Sequence, residues 1–464
     1  MKVGKVTNTF VMSSLRLDGN FHLSEGLVIR AQIKKSPYGT SNIGSVTSRI
    51  YCPGIFKRNY TKTGIPFLGG SDIQKNYYNC GKYLRKETTP NHESLVIQKG
   101  ATLVTCGGTI GLSAFANETI SKCFASQHVM RVIPSNIKEG MLYAYLASRY
   151  GFSLLTTNTY GSVIPTLNAS NIDSLPIPNF PEEFQIRVDE LIQTSASLRD
   201  EASLLLEEAT NRLCVACSLP EISEEDYNYF GPKSSDREVS CFIRKNKELG
   251  NLSFHAFNYS ERIANLKRKF SCATKPIKEI IENGRFFSTG SFPRVEVGKD
   301  YGIMLINQSD IFDNIIKGKH ISKRGVKTDN LVEYGEVMIA GVGTLGEGET
   351  FCRVVFANED LRGQLVSGEF IRMKTTNEVP SGYLYTWLNS EYGFRLIRHT
   401  HTGTKLCRPI QKLLLEQPVP LTDKDTMLEI DKMVRVAHTQ RHKANLLELK
   451  AISMVEQEIE KWNN

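Results

Sequence analysis

The chain has 464 residues, 57 Lys and Arg against 49 Asp and Glu, a net charge of +8 and 40% hydrophobic residues, so it can bury more than one core and two or three domains are expected. The opening MKVGKVTNTFVMSSLRLDG holds no continuous apolar segment, and no apolar run reaches the roughly 18 residues of a membrane span, which argues against a membrane protein and for a cytoplasmic one. Ten cysteines without even spacing fit reduced thiols rather than a disulfide framework.

In chain order, residues 1–180 read as an irregular, β-rich globular domain. Strand signals bounded by Gly and Pro occur in SLVIQKGATLVTC, and a short helix fits LYAYLASRYGF, where Leu142, Tyr145, Leu146 and Tyr150 fall at helical spacing. Residues 181–217 read as one long helix. Pro181, Glu182 and Glu183 suit a helix start, because Pro lacks the N–H that would go unpaired and acids complement the dipole. Phe184, Leu191, Leu198 and Leu205 recur every seven residues, with Val188, Ser195, Ala202 and Ala209 between them. That is a heptad seam, and its small members would admit a closely packed partner helix. Residues 218–250 are polar and read as a linker. Residues 251–421 form a second β-rich domain with strand signals such as EYGEVMIAG, and 422–464 a second long helix with the seam Met433, Ala437, Gln440, Ala444, Leu447, Ala451 and Met454. The expected class is α+β: two tandem β-rich globular domains, each followed by a long helix, the two helices pairing as an antiparallel coiled coil.

The two halves are a repeat. SRIYCPGIFKR at 48–58 is echoed 236 residues on by GRFFSTGSFPR at 284–294, pairing Arg49 with Arg285, Phe56 with Phe292 and Arg58 with Arg294. GIPFLGGSDI (64–73) then faces GIMLINQSDI (302–311), and LVTCGGTIG (103–111) faces VMIAGVGTLG (337–346). YAYLASRYGF (143–152) faces YTWLNSEYGF (385–394), and LPIP (175–178) faces QPVP (417–420). The order is collinear throughout.

GVGTLG at 341–346 matches the dinucleotide fingerprint GxGxxG, but that motif needs a helix directly after the glycines to hold the pyrophosphate. Here EGETFCRVVFANED follows, which reads as a turn and a strand. The better reading is a turn presenting backbone and Thr109 or Thr344 to a ligand; the alternative is an enzyme that binds a nucleotide or carbohydrate there. Neither a phosphate-binding GxxxxGK[ST] loop nor an HExxH helix occurs. His399 and His401 would point the same way on a strand, yet Cys407 is the only other local donor and the matching segment of the first half has no His, so no metal is expected.

Basic and small polar residues recur instead. Arg49, Lys57, Arg58, Tyr60 and Lys62 in the first half, and Arg285 and Arg294 in the second, are the residue types that position phosphates. Two Gly-centred segments, LLTTNTYGSVIPTLN with Thr159, Tyr160 and Ser162, and RLIRHTHTGTKLCR with His399, His401, Thr404, Lys405 and Arg408, offer hydroxyls, imidazoles and cations suited to a nucleic-acid surface. A shared frame with varied surface residues is what two readers of different targets need.

The ordered motifs, given twice, resemble the specificity subunits of type I restriction-modification systems: tandem target-recognition domains, each with a segment like GIPFLGGSDI, a GTIG-like loop, a Thr-Gly or Asn-rich loop and a closing xPxP before a long helix. The second domain departs at Met304 and in QPVP, which touches local packing. The resemblance implies a chain with no catalysis and no cofactor of its own. It implies two methyltransferase subunits using S-adenosylmethionine, motor-nuclease subunits in the full complex, and double-stranded DNA read as a bipartite, asymmetric target. The helix pair is expected to dock the methyltransferases and to act as a ruler for the spacing of the half-sites.

Overall fold

A computed structural model of the chain describes residues 5–8, 11–12, 19–61, 63–76, 82–157, 166–222, 242–250, 252–346 and 348–462. The chain divides into two compact units, residues 1–200 with 443–464 and residues 201–442.

In the first unit, four antiparallel strands lie in the order Thr47–Tyr51, Val129–Pro134, Thr102–Thr105 and Ser113–Phe115. Side chains alternate along a strand. Val104, Met130 and Val132 accordingly join the core under the helices Glu139–Ala147 and Arg149–Thr157, while Leu103, Val129 and Ile133 pack on Leu68, Ile97 and Ile120. A smaller sheet holds Tyr83–Leu84, Ile65–Leu68 and Phe124–Ala125, the last pair parallel. Thr40–Asn42 pairs with Pro176–Pro178, tying the entry of the domain to its exit just before the long helix.

The second unit repeats this arrangement. Phe370–Met373 pairs with Val337–Ala340, which pairs with Val354–Phe356. Gly302–Ile306 lies antiparallel to Lys319–Ser322 and parallel to Leu365–Val366. Thr274–Pro276 pairs with Pro418–Pro420 in the register of its counterpart, Thr274 opposite Pro420 as Thr40 is opposite Pro178. The single short helix expected in each half is two helices. The Ser148 hydroxyl accepts the Gly151 N–H at 3.2 Å and the Ser390 hydroxyl accepts that of Gly393 at 3.1 Å, so each serine ends one helix and caps the next.

The long helices are Glu182–Ala216, 35 residues, and Lys424–Lys461, 38 residues, or about 52 and 57 Å at ~1.5 Å per residue. They run antiparallel within each unit. In the first, Phe180, just before one helix, lies 5.8 Å from Trp462 at the end of the other, and Arg199 pairs with Glu448. In the second, Arg212 meets Glu429 at 3.1 Å and Gln440 meets Glu201 at 2.9 Å. The buried line differs in detail from the expected seam. Ser195, Ala202, Ala209, Ala437, Ala444 and Ala451 are buried, while Leu191, Leu198 and Leu205 are only half-buried. Ser195 Oγ donates to the Ala444 carbonyl at 2.8 Å. Helices that approach this closely seat the small residues between them and push the leucines to the flanks.

Each unit also buries an arginine on its central sheet. Arg131 donates to the carbonyls of Leu95, Ala125, Ser126 and Val129, and burial pushes its pKa down to about 10. Arg372, its counterpart, forms a two-pronged pair with Glu336 at 2.8 Å on both prongs and also bonds the carbonyls of Asn330 and Leu331.

Candidate nucleic-acid interface

In the first unit, Thr102–Thr105 leads into the GGTIG loop, and Gly107 bridges antiparallel to Thr166. His128 packs against Gly107, since a Cβ there would lie 2.6 Å from Nδ1. The Gln127 amide reaches His128 Nε2 at 3.1 Å, and its Oε1 accepts from Arg58 Nη2 at 2.7 Å. Arg58 also lies over the Phe67 ring at 5.4 Å and donates to the Tyr60 hydroxyl at 3.4 Å. These contacts join Arg58, exposed Tyr60 and the loop carrying exposed Thr109 into one surface. Lys57 is exposed beside Arg58, and Arg49, also exposed, stacks 4.0 Å over the Tyr51 ring on the outer strand. Lys62, Thr159, Tyr160 and Ser162 lie outside the described residues.

The second unit brings the matching segments together. Val337–Ala340 leads into GVGTLG, whose Gly343 exchanges two backbone hydrogen bonds with Cys407, at 3.2 and 2.7 Å. Cys407 belongs to the hairpin of His401–Thr402 and Arg408–Pro409. Its turn uses Gly403 at φ +88°, where a side chain would also collide with the Leu406 carbonyl. Exposed Thr344 therefore shares a surface with exposed Thr404, Lys405 and Arg408. Among the described residues, no helix starts directly after Gly346; a turn leads to the strand Val354–Phe356, and the geometry a dinucleotide fingerprint needs is missing there.

The structure places His399 and His401 inside the unit, at 3% and 1% exposure, so the surface contacts expected of them are not available. Phe257, from well upstream, stacks on His399 at 4.6 Å and edges onto His401 at 4.5 Å. His399 Nε2 meets the Ser260 hydroxyl at 2.6 Å, and burial, with the Arg262 charge nearby, holds its pKa well below the ordinary histidine value. Burial lowers that of His401 too. Arg294 is exposed, 5.8 Å from the Phe292 ring centre. Arg285 is also exposed and lines a pocket of about 320 Å³ that holds Glu282 and Asp329 as well as the pairs Glu336 with Arg372 and Glu333 with Lys374.

Sequence reasoning missed several residues of these surfaces. Gln127 and His128 link Arg58 to the loop, Ile55 stands 89% exposed beside Lys57, and Leu406 stands 59% exposed on the hairpin turn. The repeat carried a signal for the first two. Ala125-Ser126 and Val129-Met130 match Val366-Ser367 and Phe370-Ile371, whereas the pair between them changes from Gln127-His128 to Gly368-Glu369. Among the described residues, no group of three or more His, Cys, Asp or Glu is placed to hold a metal, and no helix is long and apolar enough to cross a membrane.

Residues 39–188 match the Methylase_S family, the type I restriction modification DNA specificity domain. No curated protein matches the chain. Among solved structures it is similar to the S subunit of a type I restriction-modification system from M. genitalium, at 14% identity and TM-score 0.39 over 92% of this chain and 96% of that one. It is also similar to the HsdS subunit from Thermoanaerobacter tengcongensis, at 11% identity and TM-score 0.27 over 92% and 99%. A chain described for complex assembly and conformational transition of the type I R-M system matches at 12% identity and TM-score 0.27 over 90% and 97%. The first unit thus carries a match to the type I restriction modification DNA specificity domain, and the strand pairing that closes it, Thr40–Asn42 with Pro176–Pro178, recurs in the second unit as Thr274–Pro276 with Pro418–Pro420.

Proposed function

We propose that this chain reads a bipartite, asymmetric DNA sequence, one half with each unit, for a type I restriction-modification complex, and performs no chemistry itself. The observation that carries this reading is one frame with two different surfaces. A glycine loop is bridged to the segment that follows the paired short helices, at Gly107 with Thr166 and at Gly343 with Cys407. Around that shared frame the side chains differ: half-buried Arg58 and Gln127 with exposed His128 in one unit, exposed Lys405, Leu406 and Arg408 in the other. Backbone-held loops with hydroxyl, amide and guanidinium groups suit base-edge reading, while flanking Arg and Lys hold phosphates.

The long helices, each continuous from one unit into the other, would serve as docking surface for two methyltransferase subunits and as the ruler that sets the spacer. S-adenosylmethionine would be bound by those partners, and motor-nuclease subunits would join for restriction, all in the cytoplasm.

The test is selection of duplexes from a randomised DNA library by the chain assembled with its methyltransferase partner. Enrichment of two short motifs at a fixed spacing supports the reading. Saturable nucleotide binding lost in Gly343→Ala, with no DNA sequence enriched, would replace it by the enzyme alternative.

A further inference from the structure

The recognition loop of the second unit is held at three points by residues distant from it in sequence. The Gln308 amide takes both backbone groups of Val342, accepting its N–H at 3.1 Å and donating to its carbonyl. Cys407 takes both backbone groups of Gly343. Arg398 Nη2 donates to the Gly346 carbonyl at 2.8 Å and reaches that of Thr344 at 3.5 Å. Arg398 is 1% exposed and lies 4.6 Å from the Phe394 ring centre; its Nε and Nη1 have no hydrogen-bond partner among the described residues.

A guanidinium buried with part of its hydrogen-bonding capacity unused is costly, and an apolar residue of similar shape would often be more stable there. What Arg398 does contribute is geometry, because one rigid planar group joins two carbonyls that flank the loop's tip. The first unit touches the same loop from the same helix position by other means. Thr156 is the repeat counterpart of Arg398 and Gly111 that of Gly346. The Thr156 methyl lies 3.1 Å from where a Cβ on Gly111 would stand. One helix position thus bears on one loop glycine in both units, with a cation in one and a methyl in the other.

We propose that Arg398 is a positioning residue for sequence specificity: it sets the height and tilt of the Thr344 loop, and so the base preference of the second unit's half-site, without touching DNA. This rests on the reading of the chain as a DNA specificity subunit. Gln308, which anchors the loop's entry, acts in the same sense, and its counterpart in the first unit is Gly70.

The test uses the chain assembled with its methyltransferase partner, selecting duplexes from a randomised library, with Arg398→Lys, Arg398→Thr and Gln308→Leu beside the unaltered protein. Discrimination in one half-site is expected to fall at least tenfold in the Arg398 variants. The other half-site and the slope of affinity against salt should stay unchanged, because every phosphate keeps its cation. Gln308→Leu, which alters no charge, should disturb the same half-site even if Arg398→Thr fails to fold. Unchanged selectivity in folded Arg398→Lys and Gln308→Leu overturns the proposal, as does equal loss in both half-sites or a salt slope reduced by about one. An unaltered complex that enriches no sequence overturns the reading beneath it instead.

Discussion

Asp431 Oδ1 accepts the backbone N–H of Gly382 at 2.7 Å, fastening the first turn of the helix Ser381–Asn389 to the long helix Lys424–Lys461. Asp189 and Gly140 make the same contact in the first unit at 2.6 Å. Glycine is required for the approach: a Cβ at position 382 would lie 2.9 Å from the Asp431 Cα, and one at 140 the same distance from the Asp189 Cα. Backbone atoms inside a helix cannot give way. Gly382→Ala is expected to cost about 2–3 kcal/mol, the usual range for overpacking, read as a lowered denaturation midpoint with unchanged m-value.

The buried pair of Arg372 and Glu336 supports the second unit from within, with side chains 0% and 1% exposed. Removing Glu336 leaves a buried guanidinium that keeps the carbonyls of Asn330 and Leu331 but loses its paired carboxylate. Glu336→Ala should therefore destabilise by about 3–5 kcal/mol, and Glu336→Gln, which keeps an acceptor and the shape, by less. Equal losses from the two variants would show that charge is not what this site needs.

Acid should weaken the second unit before the carboxylates titrate. Burial holds the pKa values of His399 and His438 well below the ordinary histidine value, and His438 is wedged against Phe356 at 5.0 Å and Tyr385 at 5.2 Å. The folded state thus keeps both imidazoles neutral, while the unfolded chain binds their protons below about pH 6.5. Their contribution is fully present above that pH and is lost as pH falls, at up to about 1.4 kcal/mol per pH unit for each. Denaturant titrations at several pH values should show this slope, and His438→Phe should reduce it by about one proton. An identical slope in that variant would place the acid sensitivity elsewhere.

On the surface proposed to meet DNA, Arg58 and Arg294 occupy matching repeat positions beside Phe67 and Phe292. Arg58→Ala with Arg294→Ala should lower affinity for all sequences alike and reduce the salt slope by about one for each phosphate left without its cation. Lys405→Ala and Thr344→Ala should instead shift preference at one half-site. Arg285→Ala should matter less than Arg49→Ala, because Glu282 and Asp329 line the same pocket as Arg285.

The repeat made much of this fold legible, because matched strand and helix motifs recur in order; the pairing of Thr40 with Pro178 and of Thr274 with Pro420 is a repeat that only the structure reveals. What stayed hidden depends on contacts distant in sequence. His399 and His401 sit among Thr and Arg and read as surface; only Phe257, brought from far upstream, makes them core. Arg131 and Arg372 break the apolar pattern of the strands Val129–Pro134 and Phe370–Met373, and carbonyls and a carboxylate from other segments accept from their guanidinium groups. The heptads located both long helices, but which line faced inward was decided by how closely the helices approach, which favoured Ser195 and Ala444 over the leucines.

The most direct test of a two-unit DNA reader is the methylation motif of the assembled complex, mapped on genomic DNA for the unaltered chain and for the double variant Lys405→Ala, Arg408→Ala. A single bipartite motif is expected, with the double variant relaxing or changing one half while the other half and the spacer persist. Methylation without a bipartite motif, or a double variant that alters both halves together, would contradict the account.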